Sequence, residues 1–454
     1  MEQSTEQESW EILKALADIG DARRLEKYIN SIGTSETFRA ILRLDHADRE
    51  KVLTTLSAVD AAGFIEEIPE EHAADIIEQL PVKDAASILS EMDSDDQADV
   101  IGDMKSGDAE AILAEMSPEQ AADVRRLIQY DPDSAGGLMM TEFLAYEEST
   151  LVSDVIADLS AWAEEEPARG AHVYVVSPSG KLVGVLDLRD LVLSRRSAPL
   201  ADILKSSLFV STDTRLDELE AFFNRHPFLA VPVVDEHQRL VGVVLRKGVV
   251  EALADRAEAE YLKSQGIIGG DEIRSQPVLL RSRRRLSWLS LNIVLNIIAA
   301  SVIALYEDTL SAVIALAVFL PIVSDMSGCS GNQAVAVSMR ELSLGIVKPF
   351  EVMRVWVNEV RVGLINGVVL GSLLAFAAWL WKGNPYLGLV VGAALATNTV
   401  VAVSLGGTVP LVLKRIGVDP AVASGPILTT VTDMCGFFLV LSFATTLLPL
   451  LATG

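Results

Sequence analysis

Residues 425–452 read GPILTTVTDMCGFFLVLSFATTLLPLLA, an apolar run of membrane length with one carboxylate, Asp433, inside it. A second acid, Asp325, sits in another such run, VIALAVFLPIVSDMSGCSGNQAVAV at 313–337. An aspartate at the centre of a spanning helix costs about 2.5–3.5 kcal/mol on insertion scales, so it is expected to face a bundle interior or a water-filled path. Polar residues crowd both acids: Thr429, Thr430 and Thr432 near Asp433, and Ser324, Ser327, Ser330, Asn332 and Gln333 near Asp325. These are hard oxygen ligands and hydrogen-bonding groups, the lining that a cation path through a membrane requires.

Working outward, five apolar runs reach the roughly 20 residues needed to cross a bilayer, at about 286–306, 311–335, 355–381, 386–412 and 424–451. Gly363, Gly367 and Gly371 recur every fourth position in the third, a spacing that lets membrane helices approach closely. Pro321, Gly328 and Gly331 punctuate PIVSDMSGCSGNQ, which is expected to be irregular backbone whose freed carbonyls face an ion, or a kinked helix. Basic residues gather before the first run (Arg281, Arg283, Arg284, Arg285), between the second and third, and at Lys414 and Arg415. The positive-inside rule therefore places the N-terminus in the cytosol and the C-terminus outside, in a multi-pass protein of the inner or plasma membrane. MEQSTEQESWEILK has no cationic or apolar signal region, so the first span is expected to serve as the targeting signal.

Charge divides the chain sharply. The whole carries −26; from Arg281 onward 11 Lys/Arg face 8 Asp/Glu, whereas the preceding part holds 26 basic and 55 acidic residues. So acidic a half excludes nucleic acid as a partner, because phosphate contacts need Lys and Arg. Solubility accounts for many of these acids, and the half also suits a cytosolic module that meets cations. Within it a 12-residue repeat runs without gaps: AAGFIEEI at 61, AADIIEQL at 73, AASILSEM at 85, QADVIGDM at 97, AEAILAEM at 109 and AADVRRLI at 121. One short helix per unit cannot bury its own apolar face, so the units are predicted to stack into a right-angled superhelix. Asp93, Asp95, Asp96 and Asp99 cluster at one turn. Helix capping accounts for one or two of them, and four within seven residues also suit a hydrated divalent cation. From about Gly136, HVYVVSPSGKLVGVLDLRDLV and HPFLAVPVVDEHQRLVGVVLRKGVV share one plan of strand, turn, strand and helix, and a charged helix at about 248–268 follows them.

With SAGGLMM leading into this tandem pair, PIVSDMSGCSGNQ from Pro321 and DPAVASGPILTTVTDMCG from Asp419, the chain resembles the MgtE family of magnesium transporters over essentially its whole length. The resemblance implies a mainly α membrane protein with a cytosolic helical superhelix (1–133), an α/β tandem pair of CBS motifs (134–199 and 200–250), a connecting helix and linker (251–280) and a five-span membrane bundle (281–454). It implies a homodimer with a pore between the bundles, Asp433 binding the hydrated ion, and cytosolic Mg²⁺ closing that pore from the acidic surfaces. The candidate metal residues are then Asp433, Asp325, Asn332, Thr429, Thr432 and Cys329 in the membrane, and Asp95, Asp99, Glu251, Asp255 and Glu258 in the cytosol.

Three departures bear on this expectation. Ser327-Gly328-Cys329 stands where the family usually has Gly-Gly-Asn, and Cys435 where a Thr often follows the key aspartate. Two thiols near the path would suit a softer metal than Mg²⁺, or are small packing residues. Lys247, Gly248 and Pro227 occupy positions where acidic residues occur, which implies weaker Mg²⁺ sensing or another gating input. For adenosine nucleotides at the CBS pair, the first copy offers only Asp187-x-x-Asp190 in place of Ser/Thr-x-x-Asp and the second has no counterpart, so ATP is disfavoured. No catalytic constellation is legible, and the chain is read as no enzyme. The expected function is passage of hydrated Mg²⁺. The alternatives are a Co²⁺, Zn²⁺ or Fe²⁺ carrier using the thiols, or a membrane-tethered CBS sensor without transport.

Overall fold

The structure is a computed structural model, and it describes residues 2–165, 173–186, 188–267, 272 and 278–451. The chain forms two compact units, 1–255 and 256–454.

The first unit opens with helices α1 (Glu2–Ile19), α2 (Ala22–Ile32), α3 (Thr34–Arg43) and α4 (His46–Thr55), followed by the repeat helices. These are α5 (Ala58–Ile65), α6 (Glu70–Ile77), α7 (Val82–Leu89), α8 (Ser94–Asp103), α9 (Ser106–Glu115) and α10 (Pro118–Leu127), one per 12 residues. Each starts where the sequence supplies a stop to the preceding turn: Ser57 and Ser117 accept from the N–H of Asp60 and Gln120, and Pro81 stands at the start of α7. Buried positions recur within the repeat at its first, fourth, fifth and eighth residues, as in Ala61, Phe64, Ile65 and Ile68 or Ala85, Ile88, Leu89 and Met92. That stripe spans a little over one face of two helical turns, so each helix needs neighbours on both sides. It finds them two units along: α5 packs on α7, α6 on α8, α7 on α9 and α8 on α10. One repeat breaks the apolar rule with Gln97, which is buried and donates from Nε2 to the Met92 carbonyl at 2.8 Å.

The tandem pair follows as two sheets. β2 (Leu144–Glu147), β3 (Val173–Val176) and β4 (Leu182–Leu186) form one, with α11 (Val152–Glu165) and α12 (Leu188–Leu193). β5 (Val210–Ser211), β6 (Ala230–Val234) and β7 (Leu240–Leu245) form the other with α13 (Leu216–Arg225), and β1 (Met139–Met140) joins its edge beside β7. Both copies pair their first strand parallel to the second and the second antiparallel to the third. The Val-Gly-Val that opens each last strand has a steric reason: a Cβ at Gly242 would lie 2.6 Å from Met139 Sδ, and one at Gly184 2.6 Å from the Lys205 carbonyl. β7 runs directly into α14 (Arg246–Ser264), the predicted charged helix.

The second unit holds α15 (Val278–Ala304), α16 (Glu307–Ala312), α17 (Leu316–Ser343), α18 (Val352–Lys382), α19 (Pro385–Arg415), α20 (Pro420–Thr446) and α21 (Leu448–Leu451). Among the described helices, α15, α18, α19 and α20 (from Ser424) are long and apolar enough to cross a membrane. The fifth expected span, α17, has the length at 28 residues but is too polar along its second half to meet that measure. Its backbone decides between the two expectations: PIVSDMSGCSGNQ is α-helical throughout, with Pro321 accommodated inside the helix. Only one carbonyl is freed, that of Ala317, because proline brings no N–H to the acceptor four residues back.

α19 is the centre of the unit and the most buried of the four apolar helices. It turns back on α18 through Gly383, whose φ of 73° ends α18 in the left-handed region, and Asn384, which caps α19 by accepting from Tyr386 N at 2.9 Å. The two helices touch along glycines. A Cβ at Gly367 would lie 2.5 Å from the Ala396 carbonyl, and one at Gly371 2.5 Å from that of Gly392. Asp419 caps α20 by accepting from Ala421 N at 2.9 Å, and hydroxyl pairs Tyr306–Ser442 and Thr309–Thr445, each at 2.8 Å, hold its far end to the start of α16.

Gly367→Ala therefore forces apart two backbones, whereas Gly425→Ala, in α20 with open space around its Cβ position, does not. Overpacking costs about 1–3 kcal/mol. Thermal unfolding in detergent is expected to fall by several degrees for the first variant and to stay near wild type for the second.

Candidate functional site

A cavity of about 650 Å³ opens along α17 and α20. Its α17 wall is one helical stripe, Ala317, Pro321, Ser324–Asp325, Gly328–Cys329 and Asn332, and its α20 wall is Thr429, Asp433 and Phe437 at intervals of four. Leu320, Ile303 and Leu310 supply the apolar remainder. The spacing explains why these residues meet: positions three and four apart lie on one face of an α-helix. Asp433 is half-buried, and Ser324 Oγ donates to its Oδ1, so α17 orients the carboxylate that α20 carries. Ala317, whose carbonyl lacks the helical N–H that Pro321 cannot supply, belongs to the same wall. Asp325, Cys329 and Asn332 are exposed on the bundle surface, where lipid would be a poor neighbour for a carboxylate and an amide.

Five of the six membrane candidates are thus gathered: Asp433, Asp325, Asn332, Thr429 and Cys329. Thr432 is not. It is fully buried, and its hydroxyl donates to the Thr429 carbonyl at 3.0 Å. One residue is 100° around the helix, which turns Thr432 from the cavity that Asp433 faces. Cys435 lies off the cavity for the same reason, some 200° past Asp433, so a single thiol borders the site instead of two. Ser324, read from the sequence only as a neighbour of Asp325, is instead the direct partner of Asp433.

In the first unit the acidic turn is real but differently composed. Ligand atoms of Glu66, Asp93 and Asp96 lie within 4.8 Å of one another, the arrangement that could hold a metal ion. Asp95 and Asp99 are not in that group. Capping does not account for the cluster: Asp93 stands at the N-cap of α8 without a side-chain cap bond, and its backbone N–H donates to Glu66 Oε1 at 3.0 Å. Nearby, Glu142 accepts from Ser94 Oγ at 2.8 Å and from Thr141 N at 3.1 Å. Asp95 Oδ1 is buried and without a hydrogen-bond partner among the described residues. Burial, reinforced by the charge of Asp93, pushes the Asp95 carboxyl up to about 7. Burial and the charges of Asp95 and Glu66 push Asp96 up to about 8. Such values mark too much negative charge in one place, which a proton or a cation relieves. Glu66 was missed by the sequence reading because it lies 27 residues before Asp93, at the end of α5.

Glu251, Asp255 and Glu258 are exposed along α14, where Lys247 reaches Glu251 at 3.5 Å. Among the described residues they do not bring three ligand atoms together. In the first CBS-like copy, Asp187 lies outside the described residues, and Asp190 pairs with Lys205 at 2.5 Å.

Comparison with known proteins follows the same division of the chain. A family model described as a divalent cation transporter matches residues 320–443, one for the MgtE intracellular N domain matches 32–133, and one for the CBS domain matches 200–255. The magnesium transporter MgtE of Bacillus subtilis (strain 168) is 33% identical over 324 residues, 71% of each chain. The soluble part of a magnesium transporter is 25% identical, with a TM-score of 0.50 over 56% of this chain and 99% of that one. The cytosolic domain of the Mg²⁺ channel MgtE, solved in complex with ATP, is 31% identical, with a TM-score of 0.48 over 53% of this chain and 98% of that one. With a relative 33% identical over 71% of each chain, the chain belongs to the MgtE family.

Proposed function

We propose that this protein passes Mg²⁺ across a cell membrane as a homodimer, with the ion held through its water shell by Asp433. The observation that carries the reading is a carboxylate oriented by Ser324 on the wall of an open cavity, about 20 Å along a helix of membrane length. Mg²⁺ sheds water reluctantly and prefers octahedral oxygen at about 2.1 Å. One carboxylate per subunit with hydroxyl, amide and carbonyl neighbours is enough to hold the hydrated ion and too little to strip it. The exposed polar face of α17 supports a second copy of the bundle across the cavity. Two Asp433 side chains then supply two negative charges for one divalent ion. The distribution of basic residues supports a cytosolic N-terminus and an external C-terminus.

The chain carries no phosphate-binding loop that would couple transport to a nucleotide. The membrane potential is sufficient as a driving force: at about 2.3 kcal/mol per charge per 100 mV, a divalent ion gains about 4.6 kcal/mol, some three decades of concentration. Cys329 on the cavity wall supports a second reading, in which a softer cation such as Co²⁺ or Zn²⁺ shares the path. The displacement of Cys435 from the wall leaves that reading one sulfur ligand per subunit, which favours Mg²⁺. Regulation is assigned to Glu66, Asp93 and Asp96, with Asp95 behind them: a cytosolic cation relieves their mutual repulsion, and its occupancy sets pore opening.

Purified protein in liposomes is expected to take up Mg²⁺ under an imposed potential without any Na⁺ or H⁺ gradient. Asp433→Asn should lower uptake at least tenfold, and Cys329→Ala should leave Mg²⁺ uptake near wild type. Transport that persists in Asp433→Asn, or that demands a coupled gradient, contradicts the proposal.

The acidic cluster makes a pH prediction with a defined sign. Asp95 and Asp96 have folded-state values raised far above the ordinary value near 3.9, so their stabilising contribution is present below about pH 4 and lost as pH rises through about 7 to 8. Thermal unfolding of the full chain in a chelator should therefore drop by several degrees between pH 5 and pH 8.5, with Mg²⁺ restoring it at the upper end. Asp96→Asn should flatten the chelator profile and weaken the Mg²⁺ response; an unchanged profile would count against the cluster as a cation sensor.

A further inference from the structure

Most buried polar side chains among the membrane helices serve a local need. Ser327 Oγ donates to the Val323 carbonyl in its own helix at 2.8 Å, and Thr399 to that of Leu395 in its own helix at 2.8 Å. Asn398 does not fit that pattern. It is fully buried in α19, its Nδ2 donates to the Thr432 carbonyl at 3.0 Å, and its Oδ1 has no partner among the described residues. A buried amide oxygen without a partner is costly, so an apolar residue of similar size would suit packing better. Nor does the Thr432 carbonyl need the amide, because in an α-helix it already accepts from the N–H four residues on.

What the bond accomplishes is positional. Thr432 precedes Asp433, so Asn398 fixes the backbone from which the cavity carboxylate projects. Gly436 lets this happen: a Cβ there would lie 2.8 Å from Asn398 Nδ2. That Cβ would next meet Val323 Cγ1 on α17, at 3.6 Å, one residue before Ser324. Asp433 is thereby held at both ends, its carboxylate by Ser324 of α17 and its backbone by Asn398 of α19.

We infer that Asn398 is a positioning residue for Asp433, and that Gly436 is small in order to admit it. The inference rests on the reading of Asp433 as the ion's ligand. Losing the clamp lets the carboxylate drift from the geometry that best holds the hydrated ion. Its effect falls on apparent affinity before it falls on maximal rate.

The test is Mg²⁺ uptake by the full-length protein in liposomes as a function of Mg²⁺ concentration, with thermal unfolding measured on the same preparations. Asn398→Ala and Gly436→Ala are each expected to raise the half-saturating concentration by about two- to tenfold, the value of one net hydrogen bond, with melting temperature little changed. The double variant is expected to be no worse than the more affected single one, because Gly436→Ala acts by displacing the amide. Gly436→Ala keeps the asparagine in place and serves if Asn398→Ala fails to fold. Wild-type half-saturation in both, or parallel losses of melting temperature and maximal rate at constant half-saturation, overturns the inference and leaves a packing role. Asp433→Asn in the same series separates the two levels. If it transports as wild type, the reading of Asp433 itself is wrong; if it is inactive while Asn398→Ala is normal, only the positioning role falls.

Discussion

The membrane half is organised around the cost of one ionised group. A carboxylate held among apolar helices survives only with polar partners and access to water, and the structure supplies both at Asp433. Ser324 reaches it from α17, the cavity leaves it open, and the cap at Asp419 together with the Tyr306 and Thr309 hydroxyl contacts fixes the helix that carries it. The close glycine contact of α18 with α19 serves the same end at a distance, because α19 is the rigid body against which α17 and α20 are set.

A contrast between the two acidic sites is instructive. Asp433 has few charged neighbours and an open approach, which suits an ion that must bind and leave. Glu66, Asp93 and Asp96, with Asp95 packed behind them, concentrate charge until two carboxyls rise to about 7 and 8. That arrangement stores repulsion that a bound cation would discharge, as the proposed sensing role requires. The exposed acids of α14, one of them facing Lys247 at 3.5 Å, store little, since such surface pairs are worth at most about 1 kcal/mol.

Periodicity made most of the fold legible. A 12-residue register fixed the buried positions of α5–α10, the doubled strand–turn–strand–helix plan gave both sheets, and apolar length located the long membrane helices. Two features of the membrane half depend on the packing rather than on the sequence. Pro321 with two glycines suggested irregular backbone, yet a long helix absorbs one proline when its neighbours pack tightly, at the loss of a single bond. Thr432 adjoins Asp433 in sequence but faces the bundle interior, while Thr429, Asp433 and Phe437 spell the facing stripe at intervals of four. Glu66 and Asn398 were beyond a linear reading. Each acts across a tertiary contact, to α8 and to α20, and no local pattern announces it.

The central claim is that a divalent ion rests beside Asp433 inside the α17–α20 cavity. Crystals of the full-length protein grown with Mn²⁺ in place of Mg²⁺ test it most directly, because manganese scatters anomalously and keeps the same oxygen preference. The account predicts an anomalous peak in the cavity at a distance from the Asp433 carboxylate that leaves room for one water, and its disappearance in Asp433→Asn. A peak that survives that substitution, or a cavity without one while the protein still conducts, would contradict it.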